Sequence, residues 1–228
     1  MGKVLLAFFG ELRTFEYVLP RLKNLDTPRV DIVVSTWSTS SRGTSKFEVT
    51  EKLIKKLLPK VKQIHITDST PGNIIPKIIN KHQRNTYKLF YHWKKIINNL
   101  ENPNDYDNVI FHRCDLISNW NVILDGPELD ANTIYLHTTK DLYAPTKKHP
   151  TAHWCNDYYF YGDVTIVNKF VNSFKEDSMD SHHAIFQVLY DNNIKYKTHI
   201  LRGTLYRDMD LLGIETFLPC DELNYISK

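Results

Sequence analysis

Four predicted strands, separated by helical patterns, dominate the first half of this 228-residue chain. Three of them cover residues 4–9, 30–36 and 61–67, and the fourth runs from Val109 into Asp115. Among these four strands, residues 4–9 are continuously apolar and residues 30–36 largely so, a pattern that is typical of strands buried on both faces of a parallel sheet. Their alternation with helices gives a βαβαβαβ order. That order predicts an α/β fold with a mostly parallel central sheet, flanked by helices and joined by right-handed crossovers.

The spacing of apolar residues predicts the remaining elements, and the second half of the chain is less regular than the first. Helices are predicted at residues 14–24, 47–58, 76–100, 164–174 and 182–192. Further strands are predicted at residues 133–137 and 194–201, with polar loops at 38–45 and 138–155 and an aromatic segment at 157–162. No internal repeat, low-complexity stretch or linker interrupts the sequence, so we expect a single domain.

Composition limits the classes of partner and compartment. The net charge is +3 and the lysines are scattered instead of forming a stripe, so no nucleic-acid partner is predicted. Cys114, Cys155 and Cys220 are odd in number and too widely spaced for a zinc site or a disulfide framework, which favours a reducing compartment. The N-terminal apolar run is too short for a signal peptide or a transmembrane segment. We expect a cytoplasmic protein, or one in the host-cell cytoplasm if its source is viral.

The turn after the first strand, Gly10-Glu11-Leu12-Arg13-Thr14, is a candidate binding site for an anion. Glycine allows a ligand to approach the backbone closely, and the N–H groups of a following helix favour negative charge. Arg13 adds a planar fork of donors that suits phosphate. The alternative is a tight turn in which Arg13 pairs with Glu11 or Asp31. Neither a dinucleotide fingerprint nor a P-loop is present.

Asp115 is predicted at the carboxyl end of a central strand, where open α/β sheets place their ligands. A buried carboxylate is costly unless a cation pairs with it or binds to it. Asp115 is therefore a candidate ligand for Mg²⁺ or Mn²⁺ carrying a nucleoside diphosphate, with Arg113 supporting the phosphates. The alternative is a structural Arg113–Asp115 pair at the end of the strand.

Asp157 lies within an aromatic stretch, residues 154–162. A carboxylate among aromatic rings suits a sugar site, because the rings stack on the sugar and the carboxylate orients or deprotonates a hydroxyl. The alternative is a core aromatic cluster with Asp157 capping a turn. His199, near the end of a late strand, is a candidate metal or phosphate ligand, and loop 138–155 with Lys147 and His149 is a candidate lid.

These segments, taken in order, resemble motifs of a group of bacterial and viral glycosyltransferases that act in capsule, O-antigen or virion glycan synthesis. Residues 10–14 resemble the group's G-Q-L-R-T opening, and residues 31–37 resemble its D-x-F-x-x-T-W strand. Residues 106–116 are similar to Y-D-x-V-I-R-x-R-x-D, and residues 156–162 are similar to x-D-Q-F-x-x-G. The resemblance also covers the helices at residues 83–100 and 182–194, where His182-His183 replaces the group's Pro-Glu.

The resemblance implies a GT-A fold with a nucleotide-sugar half at residues 1–117 and an acceptor half at residues 118–228. It implies a nucleotide-sugar donor and a glycan acceptor as partners. The implied nucleotide-binding residues are Gly10, Leu12, Arg13, Trp37 and Arg113. A Mn²⁺ or Mg²⁺ cofactor would bind at Asp115, the last carboxylate of an Asp-x-Asp-like motif, with His199 as a candidate ligand, and Asp157 would be catalytic near the acceptor. Arg113 stands where the group has the first of these carboxylates.

The sequence therefore predicts a nucleotide-sugar-dependent glycosyltransferase of the hexosyl- or deoxyhexosyl-transferase class. One alternative is a sugar-phosphate nucleotidyltransferase, but that class has a long glycine-rich loop after the first strand, whereas Glu11 follows Gly10 directly here. Another alternative is a non-catalytic protein that binds nucleotide sugars or glycans.

Overall fold

The computed structural model describes residues 2–42, 45–69, 81–124, 129–136, 157–175, 181–198 and 203–205. A seven-stranded sheet forms its centre. The strands of this sheet are β1 (Lys3–Phe9), β2 (Val30–Trp37), β5 (Val61–Thr67), β6 (Tyr106–Arg113), β8 (Thr133–Leu136), β9 (Tyr159–Asp163) and β10 (Lys195–Thr198). Outside it, β3 (Thr39–Arg42) pairs with β4 (Ser45–Glu48), and β7 (Leu116–Ser118) pairs with β11 (Gly203–Leu205).

The strand order is β10-β8-β9-β6-β1-β2-β5. β5, β2, β1 and β6 are parallel neighbours, and β9 is antiparallel to both β6 and β8. The predicted mostly parallel central sheet is therefore confirmed. From β1 the chain first builds outward through β2 and β5, then returns to place β6 on the other side of β1. This reversal makes a crevice at the carboxyl ends of β1 and β6, where open α/β sheets bind ligands.

Helices flank the sheet. They are α1 (Phe15–Val18), α2 (Glu51–Leu57), α3 (Lys81–Ile97), α4 (Val164–Asn172) and α5 (Ser181–Asp191). Successive residues of β1 face opposite layers of the core. Leu6 and Phe8 pack in one layer, whereas Ala7 and Phe9 pack in the other layer with Trp93 of α3. The apolar run of β1 is thus buried on both faces, as its sequence predicted.

Three predicted elements differ from the structure. The helix predicted at residues 14–24 is the four-residue α1 followed by a 3₁₀ turn at Leu19–Arg21, because Pro20 has no N–H to continue the α-helix. The polar loop predicted at residues 38–45 contains the β3–β4 hairpin. The helix predicted from residue 47 begins at Glu51, where the Thr50 hydroxyl caps the Leu53 N–H at 3.2 Å.

Among the described residues, no helix has both the length and the apolar character needed to cross a bilayer.

Candidate functional site

A pocket of about 290 Å³ opens at the crevice between β1 and β6. Gly10 follows β1, Arg113 ends β6, and the Gly10 N–H donates to the Ser35 carbonyl of β2 at 3.1 Å. Three neighbouring strands therefore deliver residues to one edge of the sheet. The pocket is lined by Phe9, Gly10, Glu11, Arg13, Trp37, Asn85, Lys88, Leu89, His92, Arg113, Asp115, Asp157 and Ser181.

Arg113 is the centre of a network of charged side chains in this pocket. Its guanidinium donates two bonds to the Asp115 carboxylate, Nε to Oδ1 at 2.9 Å and Nη2 to Oδ2 at 2.7 Å. Nη1 lies 3.5 Å from Oδ1 of Asp157. Burial disfavours the charge, but Asp115 and Asp157 outweigh it and hold the pKa of Arg113 above its usual value. Arg113 is a fixed cation in this pocket.

Asp157 reaches Arg113 because β9 runs antiparallel to β6. The start of β9 therefore lies beside the end of β6, and the Arg113 N–H donates to the Tyr158 carbonyl at 2.9 Å. The Ser181 hydroxyl, at the start of α5, donates to Oδ2 of Asp157 at 2.8 Å. Each oxygen of the Asp157 carboxylate thus has a partner, and the side chain is held facing the pocket at 13% exposure.

The turn after β1 is shaped by Gly10, whose φ of +102° is in the region that favours glycine. Glu11 and Arg13 line the pocket and pair with each other at 3.1 Å, which is the alternative that the sequence left open. Leu12 is 3% exposed and its side chain packs in the core, so only its main chain is left to meet a ligand. The α1 helix has four residues, too short to supply the N-terminal anion site that was predicted here.

Trp37 lines the opposite wall of the pocket. Its ring stacks on Tyr91 of α3 with a centroid distance of 5.7 Å, and it contacts the His92 ring edge-to-face at 4.5 Å. The Lys88 ammonium lies 5.5 Å from the Trp37 centroid. Because Trp37 is only 4% exposed, it acts as a packed wall that supports Lys88 and not as an open platform for a base or a sugar.

His112 fixes the end of β6 from within the core. Its Nδ1 lies 2.9 Å from the Arg113 carbonyl, and its Nε2 lies 2.8 Å from the Ser118 hydroxyl. A carbonyl only accepts, so Nδ1 carries the proton and Nε2 of the neutral ring accepts from Ser118. His112 therefore ties the backbone of Arg113 to β7 and supports the geometry of the charged network.

Several other site predictions fall on residues that the structure does not describe. His199, loop 138–155 and Trp154 lie outside the described residues, as do the side chains of His182 and His183. The roles suggested for them stay predictions. Of the three cysteines, Cys114 is described, and it is free and buried.

A scan of protein-family models finds no match to this sequence, and a search of curated proteins finds none either. The solved structures that are similar to this chain include two with 12% sequence identity, and each of these two comparisons covers 84% of this chain and 72% of the other. One is the galactosyltransferase LgtC in complex with donor and acceptor sugar analogs, with a TM-score of 0.49. The other is an active-site mutant of LgtC, with a TM-score of 0.51. The chain has the GT-A fold. It forms one α/β domain around its seven-stranded sheet.

Within this GT-A fold, the residues around Asp115 do not fit the predicted Mn²⁺ or Mg²⁺ site. Both Asp115 oxygens already accept from Arg113. A divalent cation on the same carboxylate would be repelled by the guanidinium, by about 8 kcal/mol at a separation of about 4 Å, twice the value for two unit charges at an effective dielectric constant near 20. Nor do the described residues contain a group of three or more His, Cys, Asp or Glu side chains able to hold a metal.

Four polar residues of the pocket were missed from the sequence: Asn85, Lys88, His92 and Ser181. The first three lie on α3, where helical spacing identified the apolar face and gave no signal for the polar residues beside it. Ser181 lies next to His182-His183, which the resemblance to Pro-Glu had marked. Its contact with Asp157 joins residues 24 positions apart in the chain.

Two buried histidines of the site predict that the protein loses stability in mild acid. Burial lowers the pKa of His92 to about 3 and that of His112 to about 4. In the unfolded chain, the pKa of a histidine is about 6.5. Below about pH 6.5 the unfolded chain binds protons that the folded chain does not, so stability falls as the pH falls toward those two values. Each histidine contributes about 1.4 kcal/mol per pH unit in this window.

We therefore expect these two groups to lower the free energy of unfolding by about 2.5 kcal/mol between about pH 7 and about pH 5.5. Urea denaturation at the two pH values measures this change. The matched comparison is His112→Gln, which should lose about half of the pH dependence. An unaltered dependence in that variant would contradict a neutral, buried His112.

Proposed function

We propose that this protein is a nucleotide-sugar-dependent glycosyltransferase. It transfers a sugar from a nucleoside-diphosphate donor to a hydroxyl group of a glycan acceptor. The observation that carries the proposal is the pocket at the carboxyl ends of β1 and β6. It places the anchored Asp157 carboxylate beside the Arg113 guanidinium, and two further cations, Lys88 and Arg13, line the same pocket. A GT-A fold shared with LgtC, a galactosyltransferase, supports sugar transfer.

The donor and the acceptor occupy different parts of this pocket in the proposal. Residues 1–117 form the nucleotide-sugar half, in which the Gly10–Arg13 turn and Arg113 meet the nucleotide and its diphosphate. Residues 118–228 form the acceptor half and contribute Asp157 and Ser181. The network between Arg113 and Asp157 spans the two halves, and this arrangement brings the leaving group and the acceptor hydroxyl together.

The chemistry follows from the charges of these side chains. Departure of the nucleoside diphosphate develops negative charge, which Arg113 and Lys88 stabilise because they are already in place before the reaction. In an inverting transfer, Asp157 accepts the proton of the acceptor hydroxyl as its oxygen attacks the anomeric carbon. Ser181 orients the Asp157 carboxylate for this step. The resemblance supports a hexosyl or deoxyhexosyl donor and a role in capsule, O-antigen or virion glycan synthesis.

A thermal-shift screen of nucleoside diphosphates and their sugar conjugates tests the proposal, because ligands that bind only the folded state raise its melting temperature. We expect one base and one sugar to stand out. That donor is then incubated with glycan acceptors, and transfer is followed by mass spectrometry. Binding with neither transfer nor donor hydrolysis would favour a non-catalytic protein that binds nucleotide sugars. The absence of any stabilising nucleotide would reject both that protein and the glycosyltransferase.

A further inference from the structure

We propose that the guanidinium of Arg113 takes the place of a divalent cation in this pocket, so that the donor diphosphate binds without metal. This inference rests on the proposed function and specifies how its donor site works. It begins from the disagreement between the predicted metal site and the structure: the carboxylate expected to hold the metal already holds an arginine.

Contacts from three sides fix the position of the Arg113 side chain. The Asp115 carboxylate accepts two hydrogen bonds from it, and the Asp157 carboxylate contacts it from a second direction. The ring of Tyr158 covers a third side, with its centroid 5.3 Å from the guanidinium carbon. The main chain of Arg113 is fixed as well, by its pairing with β1 and by the bond from His112 to its carbonyl. Little ordering is therefore required when a ligand binds.

Arg113 also retains donors for a ligand. Arginine carries five N–H groups, and the contacts to Asp115 and Asp157 use three of them, so each terminal nitrogen has one N–H left within the described part of the chain. The side chain is 23% exposed, toward the pocket. The planar fork of a guanidinium matches two phosphate oxygens, which a bare charge such as an ammonium does not.

Because of the charges around it, Arg113 recognises an anion by contact and not by long-range attraction. Among the described lining residues, the cations Arg13, Lys88 and Arg113 equal in number the carboxylates Glu11, Asp115 and Asp157, so their formal charges balance. A balanced pocket attracts anions weakly from a distance, and recognition depends on directed hydrogen bonds at contact. Lys88 lies against the Trp37 ring, and its ammonium supplies a second fixed cation for the diphosphate.

Isothermal titration calorimetry of the full chain with UDP, GDP and CDP tests the inference. For the diphosphate that binds, we expect the same affinity in EDTA and in Mn²⁺, within about twofold. Arg113→Met should weaken binding by at least about tenfold, the loss of one charge-assisted contact. Arg113→Lys keeps the charge but not the fork and should give an intermediate loss. Arg21→Met, which removes an arginine bonded to the Tyr17 carbonyl outside this pocket, is the control and should bind like the wild type.

Each outcome decides between the two proposals. Binding that requires Mn²⁺ overturns the role of Arg113 and leaves the glycosyltransferase proposal intact. Metal-independent binding that survives in Arg113→Met also overturns it, provided that both Arg113 variants melt cooperatively as folded proteins. If none of the three diphosphates binds with or without Mn²⁺, the proposed function and this inference both fail.

Discussion

Asp157→Asn is expected to lower kcat for sugar transfer about 100- to 10,000-fold, the range seen when a general base is removed. The amide has nearly the shape of the carboxylate and can still accept from the Ser181 hydroxyl, so the pocket keeps its form. It cannot take the proton of the acceptor hydroxyl. Because Asp157 belongs to the proposed acceptor half, the affinity for the nucleoside diphosphate should change less than about threefold, which would place the loss in the chemical step.

Two controls separate catalysis from structure in this experiment. Asp191→Asn makes the same chemical change at the other end of α5, where the carboxylate accepts from Gln187, and it should leave kcat unchanged. Ser181→Ala removes the group that orients Asp157 and should lower kcat by a smaller factor than Asp157→Asn. If Asp157→Asn keeps full activity, Asp157 is a structural partner of Arg113 and another group is the base.

The central sheet was predictable because its strands have a local signature. Residues 4–9 read as a buried strand and residues 61–67 as a further strand, and β1 and β5 lie at those positions. The place of β9 was not predictable, since its aromatic sequence shows a buried segment but does not tell which strand it pairs with or in which direction. That pairing brings Asp157 to Arg113, so the core of the pocket depends on contacts between residues distant in the chain.

The charged network shows the same division between local and distant contacts. Arg113 and Asp115 are two residues apart at a strand end, and the sequence already offered a structural Arg–Asp pair as an alternative to a metal site. The structure confirms that pair. The sequence alone does not separate the pair from a metal site, because an isolated motif does not show whether the carboxylate has a partner. The bond between Ser181 and Asp157 had no local signal at all.

The pairing of Arg113 with Asp115 predicts a second large effect, on stability. Asp115→Asn should lower the free energy of unfolding by about 3 kcal/mol, the low end of the cost of leaving one member of a buried pair without its partner. The low end applies because Arg113 keeps Asp157 nearby and is 23% exposed. Urea denaturation at neutral pH measures the change.

A double-mutant cycle isolates the contact itself. Arg113→Met combined with Asp115→Asn should cost less than the sum of the two single variants, with a coupling energy of about 2 kcal/mol. The exposed pair Lys55–Glu51 on α2, at 3.0 Å, is the reference, and its coupling should be about 0.3–0.5 kcal/mol. If the two coupling energies are similar, Arg113 does not bind Asp115 strongly, and the carboxylate is free to bind a cation from solution.

In that case Mn²⁺ would raise the melting temperature of the wild type but not that of Asp115→Asn. A strong coupling together with no Mn²⁺ effect supports the guanidinium as the resident cation of the pocket.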